Sequence, residues 1–486
     1  MAGKGPRGML SVAQLREVAE GRVETVVVGF TDMYGRLMGK RFDAEFFLET
    51  CVRPGGGTHA CNYLLALDID MEPVKGYKFA SWEQGCEFCP HLLQRRKDAE
   101  TDHRTDGDFQ LAPDLQTLRT ASWLDKTAMV QCDVANELTQ NLMPHAPRSI
   151  LKLQVGRAAL QGFTAMAASE LEYFIYKTSY KDAFKQGYRD LEAMGWHNGD
   201  YSVLQGTREE VFNSKARRHL ARSGVPVENS KGETGVSQHE LNVRYTDILQ
   251  MADRHVVLKQ CLKEVADVNG MSVTFMAKPE GGQAGNSCHI HFSMERDGVN
   301  AFQGDQDLGN GFKCSDTFRH FLGGWMKWVP DFFPFYAPTV NSYKRFVSGS
   351  WAPTRLTWSI DNRTASFRVV GHGSSLRIEF RVPGADANPY LAFAAALASG
   401  LDGIQNKIEP PPMATGNSYD TGAGDDGPTV PRDLAEAAAR FKASDFVAAA
   451  LGKDVQAHYA RFFENEAQAY AAAVTDWEQK RYFELI

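Results

Sequence analysis

The amino-acid sequence predicts a layered protein that mixes helices with strands and divides into a small N-terminal part and a larger C-terminal part. Three observations support this prediction. Short strand patterns with few helices occupy residues 1–146. The segment Pro144–Arg148, PHAPR, has the composition of a boundary between domains. Over residues 147–486, helical patterns alternate with long strand patterns, which indicates a large α/β layer structure whose strands carry the functional residues.

Length and composition narrow the possible functions. A chain of 486 residues with 43% hydrophobic and 23% charged residues is typical of a globular protein with ample core. The net charge of -7 and the lack of a basic run argue against nucleic acid as a partner. Eight cysteines are sparse for this length, which favours a reducing, cytoplasmic location. No apolar run approaches the roughly 18 residues of a membrane span, and we expect no membrane partner.

The N-terminal part is predicted to be rich in strands. A glycine cap ends its first amphipathic pattern, and glycine-rich or turn-forming stretches separate the apolar runs. Its predicted elements are a helix at Ser11–Gly21, a strand at Val23–Phe30, a turn at Asp32–Arg36, a glycine-rich loop at Arg53–His59, and strands at Tyr63–Asp70, near Gly76–Ser81 and near Ala128–Val134.

The C-terminal part begins with a helix that leads directly into a strand of unusual composition. The last helix is rich in aromatic residues, which suggests that it docks on another surface. The predicted elements of the C-terminal part are helices at Ser149–Leu160, Ile248–Val268, Asp433–Ala450 and Val455–Ile486, strands at Phe163–Tyr176 and Met271–Lys278, and a Pro/Gly/Asp-rich loop at Pro410–Pro431.

The strand Phe163–Tyr176 is the strongest functional signal. Side chains alternate along a strand, so Glu170 and Glu172 point to the same face. Two buried carboxylates side by side repel each other and lose hydration unless a cation lies between them. The pair therefore predicts a divalent metal site. An edge strand with a solvated acidic face is the alternative that this segment alone leaves open.

Four other segments supply residues of the kind that Glu170 and Glu172 need. The glycine-punctuated loop Glu228–Glu240 carries several carboxylates, the strand patterns Ser287–Ser293 and Leu376–Val382 each place charged side chains on one face, and Ile360–Val370 adds arginines. Carboxylates with an imidazole suit Mg²⁺ or Mn²⁺, and arginine forks suit phosphate oxygens. Together they indicate phosphoryl transfer, and the lack of a GxxxxGK[ST] loop excludes a P-loop enzyme.

At these residues the chain resembles the glutamine synthetase superfamily. SELEYF resembles the family's Glu-x-Glu-Phe-Phe strand, GETGVSQHE its metal loop, and FMAKPEGGQAGNSCHIHFS its His-x-His stretch. NSYKRFVSGSWAP, DNRTASFRV and LRIEFRVPGADANPY continue in the same order, so the resemblance covers nearly the whole chain. It implies an α+β fold. Residues 1–146 would form a β-grasp domain, and residues 147–486 a catalytic domain with a curved antiparallel sheet and a C-terminal helical strap.

The resemblance also implies roles for individual residues. One site for Mg²⁺ or Mn²⁺ would use Glu172, Glu233 and Glu240, and another Glu170, His289 and Glu379. ATP contacts would come from Glu228, Tyr245, His291, Ser293, Arg368 and Arg377. Gly285, Arg345 and Arg381 would hold glutamate, Arg363 would lie near the transferred phosphate, and Tyr201 would belong to the amine site. The implied reaction activates the γ-carboxylate as γ-glutamyl phosphate, because oxide is a poor leaving group and phosphate a usable one.

Departures from the family pattern indicate an amine other than ammonia. Ammonia-using members carry Asp-Gly-Ser-Ser in an N-terminal loop, whereas Gly56–Tyr63 here has no acid. Their flap reads Gly-Tyr-Glu-Ala-Pro, whereas Trp351 stands in the corresponding position here, and Ala284 replaces an asparagine beside the glutamate site. Among members of the superfamily, the chain most resembles γ-glutamylethanolamide synthetases and related γ-glutamyl–amine ligases. We therefore predict an ATP-dependent ligase that joins glutamate to a small primary amine, with ethanolamine favoured and Trp351 a determinant of the choice.

Other functions stay open at this point. Glutamine synthesis from ammonia, a γ-glutamylpolyamine or methylamide synthetase and a non-catalytic relative are the alternatives. The resemblance further implies a homododecamer of two stacked rings. Gly55–Asn62 has no obvious partner in its own chain, and Val455–Ile486 would bury poorly on a monomer, both of which fit a shared interface.

Overall fold

The computed structural model describes residues 6–19, 23–79, 107–137, 139–309, 311–420 and 427–486. Two large sheets organise these residues, and helices pack mainly around the larger sheet. Both sheets are mostly antiparallel, in keeping with the predicted α+β class. Over this part of the chain, none of the helices combines the length and the apolar composition that crossing a membrane requires.

The smaller sheet has six strands within the described residues, in the order β2–β1–β6–β4–β3 with β5 beside β6. The parallel pairing of β1 with β6 places the two most apolar strands at its centre, where Val26, Val28 and Phe30 pack against Phe47. The strands are β1 (Thr25–Thr31), β2 (Leu37–Asp43), β3 (Thr58–Cys61), β4 (Asp108–Pro113), β5 (Arg119–Thr120) and β6 (Thr127–Asn136).

The larger sheet follows the order β16–β17–β18–β12–β7–β9–β8, with β10 and β11 paired to β7 and β13 paired to β12. A two-stranded sheet, β14 with β15, lies apart from it. The strands are β7 (Thr164–Tyr176), β8 (Val227–Gly232), β9 (Gln238–Val243), β10 (Thr246–Asp247), β11 (Ser272–Thr274), β12 (Cys288–Arg296), β13 (Val299–Asn300), β14 (Gln306–Gly309), β15 (Phe312–Cys314), β16 (Trp358–Ile360), β17 (Phe367–Val370) and β18 (Arg377–Phe380).

The helices are α1 (Val12–Ala19), α2 (Ala44–Thr50), α3 (Pro147–Leu160), α4 (Tyr180–Lys185), α5 (Val203–Arg222), α6 (Ile248–Val268), α7 (Asp316–Tyr336), α8 (Pro389–Asn406), α9 (Leu434–Ala443), α10 (Asp445–Leu451), α11 (Lys453–Ala472) and α12 (Asp476–Tyr482). Short 3-10 turns occur at Asn62–Leu65, Leu115–Thr117, Ser342–Arg345 and Gly373–Ser375.

Glycine lets α7 and α8 cross closely, since a Cβ at Gly324 would lie 2.4 Å from the Ser399 backbone oxygen. This packing supports the sheet from behind.

Most predicted elements of the C-terminal part occur where expected. The strand at Phe163–Tyr176 is β7, the helix at Ile248–Val268 is α6, and the helix at Ser149–Leu160 lies within α3. The segment Glu228–Glu240, predicted as a loop, instead contains β8 and the start of β9. Backbone pairing between these two strands fixes the positions of its carboxylates.

Two predicted strands are wrong over the residues that the structure describes. Tyr63–Asp70 forms part of a 3-10 turn and then a tight turn, because the Asp68 side chain accepts hydrogen bonds from the backbone of Asp70 and Glu72. Gly76–Phe79 is a turn and bend, and the remainder of that prediction lies outside the described residues. The strand Met271–Lys278 shortens to β11, because Asn341 bonds both backbone groups of Lys278.

The two predicted C-terminal helices are each broken once. Ser444 ends one helix and caps the next, its hydroxyl accepting from the Val447 amide. Val455–Ile486 divides into α11 and α12, where Thr475 and Glu478 form a capping box. The prediction that this segment buries poorly on one chain is wrong for its first half, since Tyr459, Phe462 and Phe463 are buried in the core.

A buried charge cluster joins the smaller sheet to the helices behind the larger one. Arg148 donates to Asp114 and Asp133 on one side and to both carboxylate oxygens of Asp253 on the other, the latter at 3.0 Å. Tyr390 also donates to Asp253. Arg148 is the shared cation of three carboxylates, so the cluster depends on this one side chain.

We predict that Arg148→Met lowers the free energy of unfolding by about 3–5 kcal/mol, because it leaves buried carboxylates without their cation. Chemical denaturation of the purified protein measures this loss. As a control, Lys177→Met removes an exposed pair with Glu192 and should change stability by about 0.5 kcal/mol or less. Equal effects of the two substitutions would contradict the prediction.

Buried histidines make stability depend on pH. His458 stacks on Tyr77 and donates from Nε2 to the Leu65 carbonyl at 2.8 Å. Burial lowers the pKa of His458 to about 3, and it lowers the pKa of His145 and His255 well below the usual value. The unfolded chain therefore binds protons that the folded chain does not, and stability falls as the pH drops below about 6.5.

We predict that His458→Gln, although less stable than wild type at pH 7, loses less stability on acidification. Between pH 7 and pH 5 the gap between the two proteins should narrow by about 2 kcal/mol, the contribution of one histidine with these two pKa values. Denaturation series at both pH values measure the gap. A gap that stays constant would show that His458 does not contribute to the pH dependence.

Candidate active site

Five adjacent strands of the larger sheet carry most of the predicted metal-binding side chains on one face. The order β17–β18–β12–β7–β9 brings together segments that are far apart in sequence. The facing pairs are Arg368 with Glu379, Glu379 with His291, His289 with Glu170, and Glu172 with Glu240. Side-chain alternation and strand register therefore place the carboxylates and imidazoles beside one another.

Glu172, Glu233 and Glu240 form a compact group of carboxylates. One oxygen from each lies within 4.8 Å of the others. Burial, reinforced by the charge of Glu233, raises the pKa of Glu172 to about 7. Burial and neighbouring carboxylates raise the pKa of Glu233 and of Glu240 to about 7 as well. A divalent cation relieves this repulsion, so the group has the donor set that Mg²⁺ or Mn²⁺ requires.

Glu170, His289 and Glu379 form a second group beside the first. His289 Nδ1 lies 3.4 Å from Glu170 and 3.5 Å from Glu379. Burial, with the charge of Arg381, lowers the pKa of His289 to about 4, which keeps the imidazole neutral as a metal ligand must be. Burial alone would raise the pKa of Glu379, but Arg381 and the two histidines outweigh it and hold the value at about 2.

His291 lies closer to this second group than the resemblance implies. Its Nε2 donates to Glu170 at 2.8 Å, and its Nδ1 accepts from Arg377 at 3.2 Å. One oxygen of Glu170, one of Glu379 and a His291 nitrogen also lie within 4.8 Å of one another. His291 therefore stands between the metal-binding group and the residues predicted to contact ATP.

A first cavity of about 570 Å³ opens over both carboxylate groups. Its lining includes the residues predicted to bind glutamate, the transferred phosphate or the amine, which are Gly285, Arg345, Arg381, Arg363, Tyr201 and Trp351. Arg368, predicted to contact ATP, lines this first cavity as well. Arg345 donates to the Val382 carbonyl at 2.8 Å, and a Cβ at Gly285 would lie 2.5 Å from the Arg345 side chain. A side chain at this position would collide with Arg345, so only glycine fits. Because Gly285 has no side chain, its backbone lines the cavity directly.

Aromatic side chains line the mouth of the first cavity. Trp351 is 56% exposed and has a left-handed backbone with φ of 63°. Tyr201 is also exposed, and the Lys231 ammonium lies 4.5 Å from the centre of its ring. Ala284 lines the same cavity at the position where the superfamily carries asparagine. This part of the cavity offers aromatic surface to an incoming amine.

A second cavity of about 580 Å³ lies on the other side of Glu170. Its lining includes Glu228, Tyr245, His291, Ser293 and Arg377, the remaining residues predicted to contact ATP. Glu170, Asn229 and Asn242 line both cavities. A ligand in the second cavity therefore reaches the metal-binding groups from the side opposite to the predicted glutamate residues.

The structure adds two charged residues, Lys231 and Asp200, that the sequence analysis missed. Lys231 lines the first cavity, pairs with Glu233 and lies opposite Glu240 in the register of β8 and β9. Its ammonium also lies 3.9 Å from Asp200, an acidic residue on the same cavity. In the sequence, Lys231 precedes Glu233 by two residues, and this spacing was the signal that could have indicated their contact.

The Gly56–Tyr63 loop borders neither cavity in the chain as described. Its central residues form β3 and pair with β4, so the expectation that Gly55–Asn62 has no partner in its own chain is wrong. This pairing with β4 holds the central residues of the loop within the smaller sheet.

Comparison with known proteins identifies relatives along most of the chain. Residues 144–482 match the family model described as glutamine synthetase, catalytic domain. A γ-glutamylethanolamide synthetase, GlnA4, from Streptomyces coelicolor is 44% identical over 96% of this chain and 94% of its own. A glutamate–isopropylamine ligase from a Pseudomonas species is 32% identical, with 96% of each chain covered.

A solved structure described as a GmaS/ADP complex has a similar fold. It matches with a TM-score of 0.79 at 28% sequence identity, over 96% of this chain and 99% of the other. The family model, the curated relatives and this structure agree with one another and with the motifs. The chain therefore belongs to the glutamine synthetase family and is an ATP-dependent carbon–nitrogen ligase.

Proposed function

We propose that the protein joins the γ-carboxylate of glutamate to a small primary amine, with ethanolamine the favoured substrate. The observation that carries this proposal is the pair of cavities that meet at Glu170, one lined by arginines and aromatic residues and the other by the predicted ATP contacts. Relatives named for ethanolamide and isopropylamine products support a glutamate–amine ligase.

The residues present fit two divalent ions. Glu172, Glu233 and Glu240 would hold one, because their oxygens are donors that Mg²⁺ and Mn²⁺ accept. Glu170, His289 and Glu379 would hold the other, since His289 lies close to both carboxylates. Glu240 also lies near Glu170 and His289, so it borders both groups. When bound, the ions supply positive charge to the phosphate oxygens. Arg368 and Arg381 already pair with Glu379, which orients that carboxylate within the group.

The arginines around the first cavity suit the two anionic substrates. Arg345 and Arg381 are buried and would hold the amino acid, and the exposed Arg363 would approach the transferred phosphoryl group. In the proposed reaction a γ-carboxylate oxygen attacks the γ-phosphorus of ATP and ADP leaves. The free amine then attacks the acyl carbon, phosphate leaves, and the extra proton passes from the nitrogen to solvent or a base.

The amine would enter beside Trp351 and Tyr201. An indole provides apolar contact for methylene groups and a face that attracts an ammonium. Two buried methylenes contribute about 1.6 kcal/mol at roughly 0.8 kcal/mol each, enough to favour an alkylamine over ammonia by more than tenfold. In ammonia-using members, a flap glutamate would attract ammonium through its charge. Here Trp351 would instead favour an alkylamine through apolar contact.

We further propose that residues 1–146 and 147–486 are separate domains and that the protein assembles into a homododecamer of two rings. The exposed apolar end of the chain, including Phe483, Leu485 and Ile486, supports an interface between copies. Because Gly56–Tyr63 borders neither described cavity, it would act on a neighbour's site. The cytoplasmic location and the lack of a nucleic acid or membrane partner stay predictions from composition.

We predict that Glu240→Gln removes metal binding while it stabilises the metal-free protein. The amide keeps the contact with Asn242 but takes one charge from three mutually repelling carboxylates. In chelator, the thermal midpoint should rise, and the further rise on adding Mg²⁺ should shrink. Amide formation should fall by about 100-fold or more. Calorimetry with and without Mg²⁺ and an ATP-dependent phosphate-release assay measure the two effects.

Glu209→Gln is the matched control, because Glu209 is a buried carboxylate that contacts His239 and lines neither cavity. It should leave the Mg²⁺ response unchanged. Near-normal turnover and a normal Mg²⁺ response in Glu240→Gln would refute the assignment of Glu240 to the metal group.

We predict that Trp351→Glu shifts the amine preference from ethanolamine toward ammonia. The substitution removes the apolar wall and supplies a carboxylate, so the ratio of kcat/KM for ethanolamine to that for ammonia should fall at least about tenfold. Steady-state rates of ATP-dependent phosphate release with each amine measure the ratio.

Trp196→Glu is the control, since Trp196 is similarly exposed but lines neither cavity. Its ratio should equal that of wild type. A wild-type enzyme that prefers ammonia would contradict the proposed substrate, whereas an unchanged ratio in Trp351→Glu would contradict only the role of Trp351.

A further inference from the structure

A third cavity lies away from the two that meet at Glu170 and shares no lining residue with them. It has a volume of about 330 Å³ and is enclosed by the N-terminal segment, the smaller sheet and the start of α6. Pro6 and Met9 form one wall, and Thr117 and Gln250 contribute polar groups to others. The charged side chains on its surface are Asp114, Asp247, Asp253, Arg119, Arg148 and Arg254.

Arg119 and Arg254 are buried in this cavity with incomplete hydrogen bonding. Arg119 is 2% exposed and donates from Nε to the Thr117 carbonyl at 2.8 Å. Arg254 is 5% exposed and donates to the Arg244 carbonyl at 3.0 Å and to Gln250. Among the residues described, Arg119 Nη1 and Arg254 Nε have no acceptor. Buried guanidinium donors without acceptors are unfavourable unless a ligand supplies them.

The acidic residues of the cavity are engaged elsewhere. Asp114 and Asp253 accept from Arg148, and Asp253 also accepts from Tyr390. Asp247 caps α6 by accepting from the Gln250 amide at 3.0 Å. None of these three carboxylates accepts a hydrogen bond from Arg119 or Arg254 in the described structure. Among the described residues, the two arginines therefore face the cavity without a carboxylate hydrogen-bonded to either of them.

The positive charges of Arg119 and Arg254 also repel each other. Burial and then the charge of Arg119 lower the pKa of Arg254 to about 10, and the charge of Asp247 opposes this shift. Burial likewise lowers the pKa of Arg119, with the charge of Arg148 adding to the effect and those of Asp253 and Tyr390 opposing it. An anion between two guanidinium groups would offset their repulsion and accept from their free N–H groups.

We propose that this cavity is a binding site for a small oxyanion, held by Arg119 and Arg254. The ligand is a phosphate or the carboxylate of a small acid, since both present oxygens that match guanidinium donors. The site is separate from the cavities at Glu170, because it shares no lining residue with them. Arg254 nevertheless contacts the backbone of Arg244, the neighbour of Tyr245 in the second cavity.

The experiment measures the thermal midpoint of the full-length protein in chloride buffer at constant ionic strength. Inorganic phosphate and succinate are titrated separately into wild type, Arg119→Met and Arg254→Gln. We expect a saturable rise of the wild-type midpoint with at least one anion, and at least about tenfold weaker binding in both variants. A response to phosphate alone identifies a phosphate site, and a response to succinate alone identifies a carboxylate site.

A second expected result separates a ligand site from a purely structural arginine. Without added phosphate or succinate, Arg119→Met should not lower the midpoint, because it removes a buried charge with incomplete hydrogen bonding. The control Arg157→Met removes an arginine that donates to the Ala450 carbonyl far from this cavity, and it should lower the midpoint but keep the anion response. No response in wild type, or a response that persists in both cavity variants, overturns the proposal.

Discussion

Mutual repulsion among buried carboxylates is the constraint around which the larger sheet is built. Glu172, Glu233 and Glu240 each have a pKa raised to about 7 by burial and by the neighbouring acids. If these three residues lay on separate flexible segments, the segments would move apart and the repulsion would fall. Strand pairing between β7 and β9 prevents this, since the register fixes Glu240 opposite Glu172. The backbone ladder thus holds a charge arrangement that the side chains alone disfavour.

The support for this sheet comes from behind and from the smaller sheet. Close contact between α7 and α8 places an apolar layer under the strands, with Trp325 packed against Phe292 and Phe380. Arg148 ties α6 to the smaller sheet through Asp253 and Asp133. Charged groups therefore fulfil two different tasks in this protein. In the cluster around Arg148, positive and negative charges offset each other, and the cluster joins the smaller sheet to the helices. The group of Glu172, Glu233 and Glu240 carries excess negative charge, which suits it to bind cations.

The sequence predicts elements well where one pattern dominates locally. The bounds of α6 agree with the prediction because its apolar period is long and Asp247 caps it. Tyr63–Asp70 misleads because its apolar content favours a strand, whereas the Asp68 side chain stabilises a turn. The break between α11 and α12 was readable in the Thr475–Glu478 capping box. Which strands become neighbours was not readable, since register between distant segments depends on the whole sheet. The family resemblance indicated only which residues share a site.

The left-handed backbone and the exposure of Trp351 determine what a substitution at this position costs the fold. Tryptophan and glutamate both carry a Cβ and both meet the steric penalty of this region, so an exchange between them does not relieve the backbone. The side chain is also more than half exposed, and its exchange leaves no hole in the core. Trp351 also lies outside the strands of the larger sheet, so an exchange at this position leaves the strand pairing that holds the carboxylates unchanged.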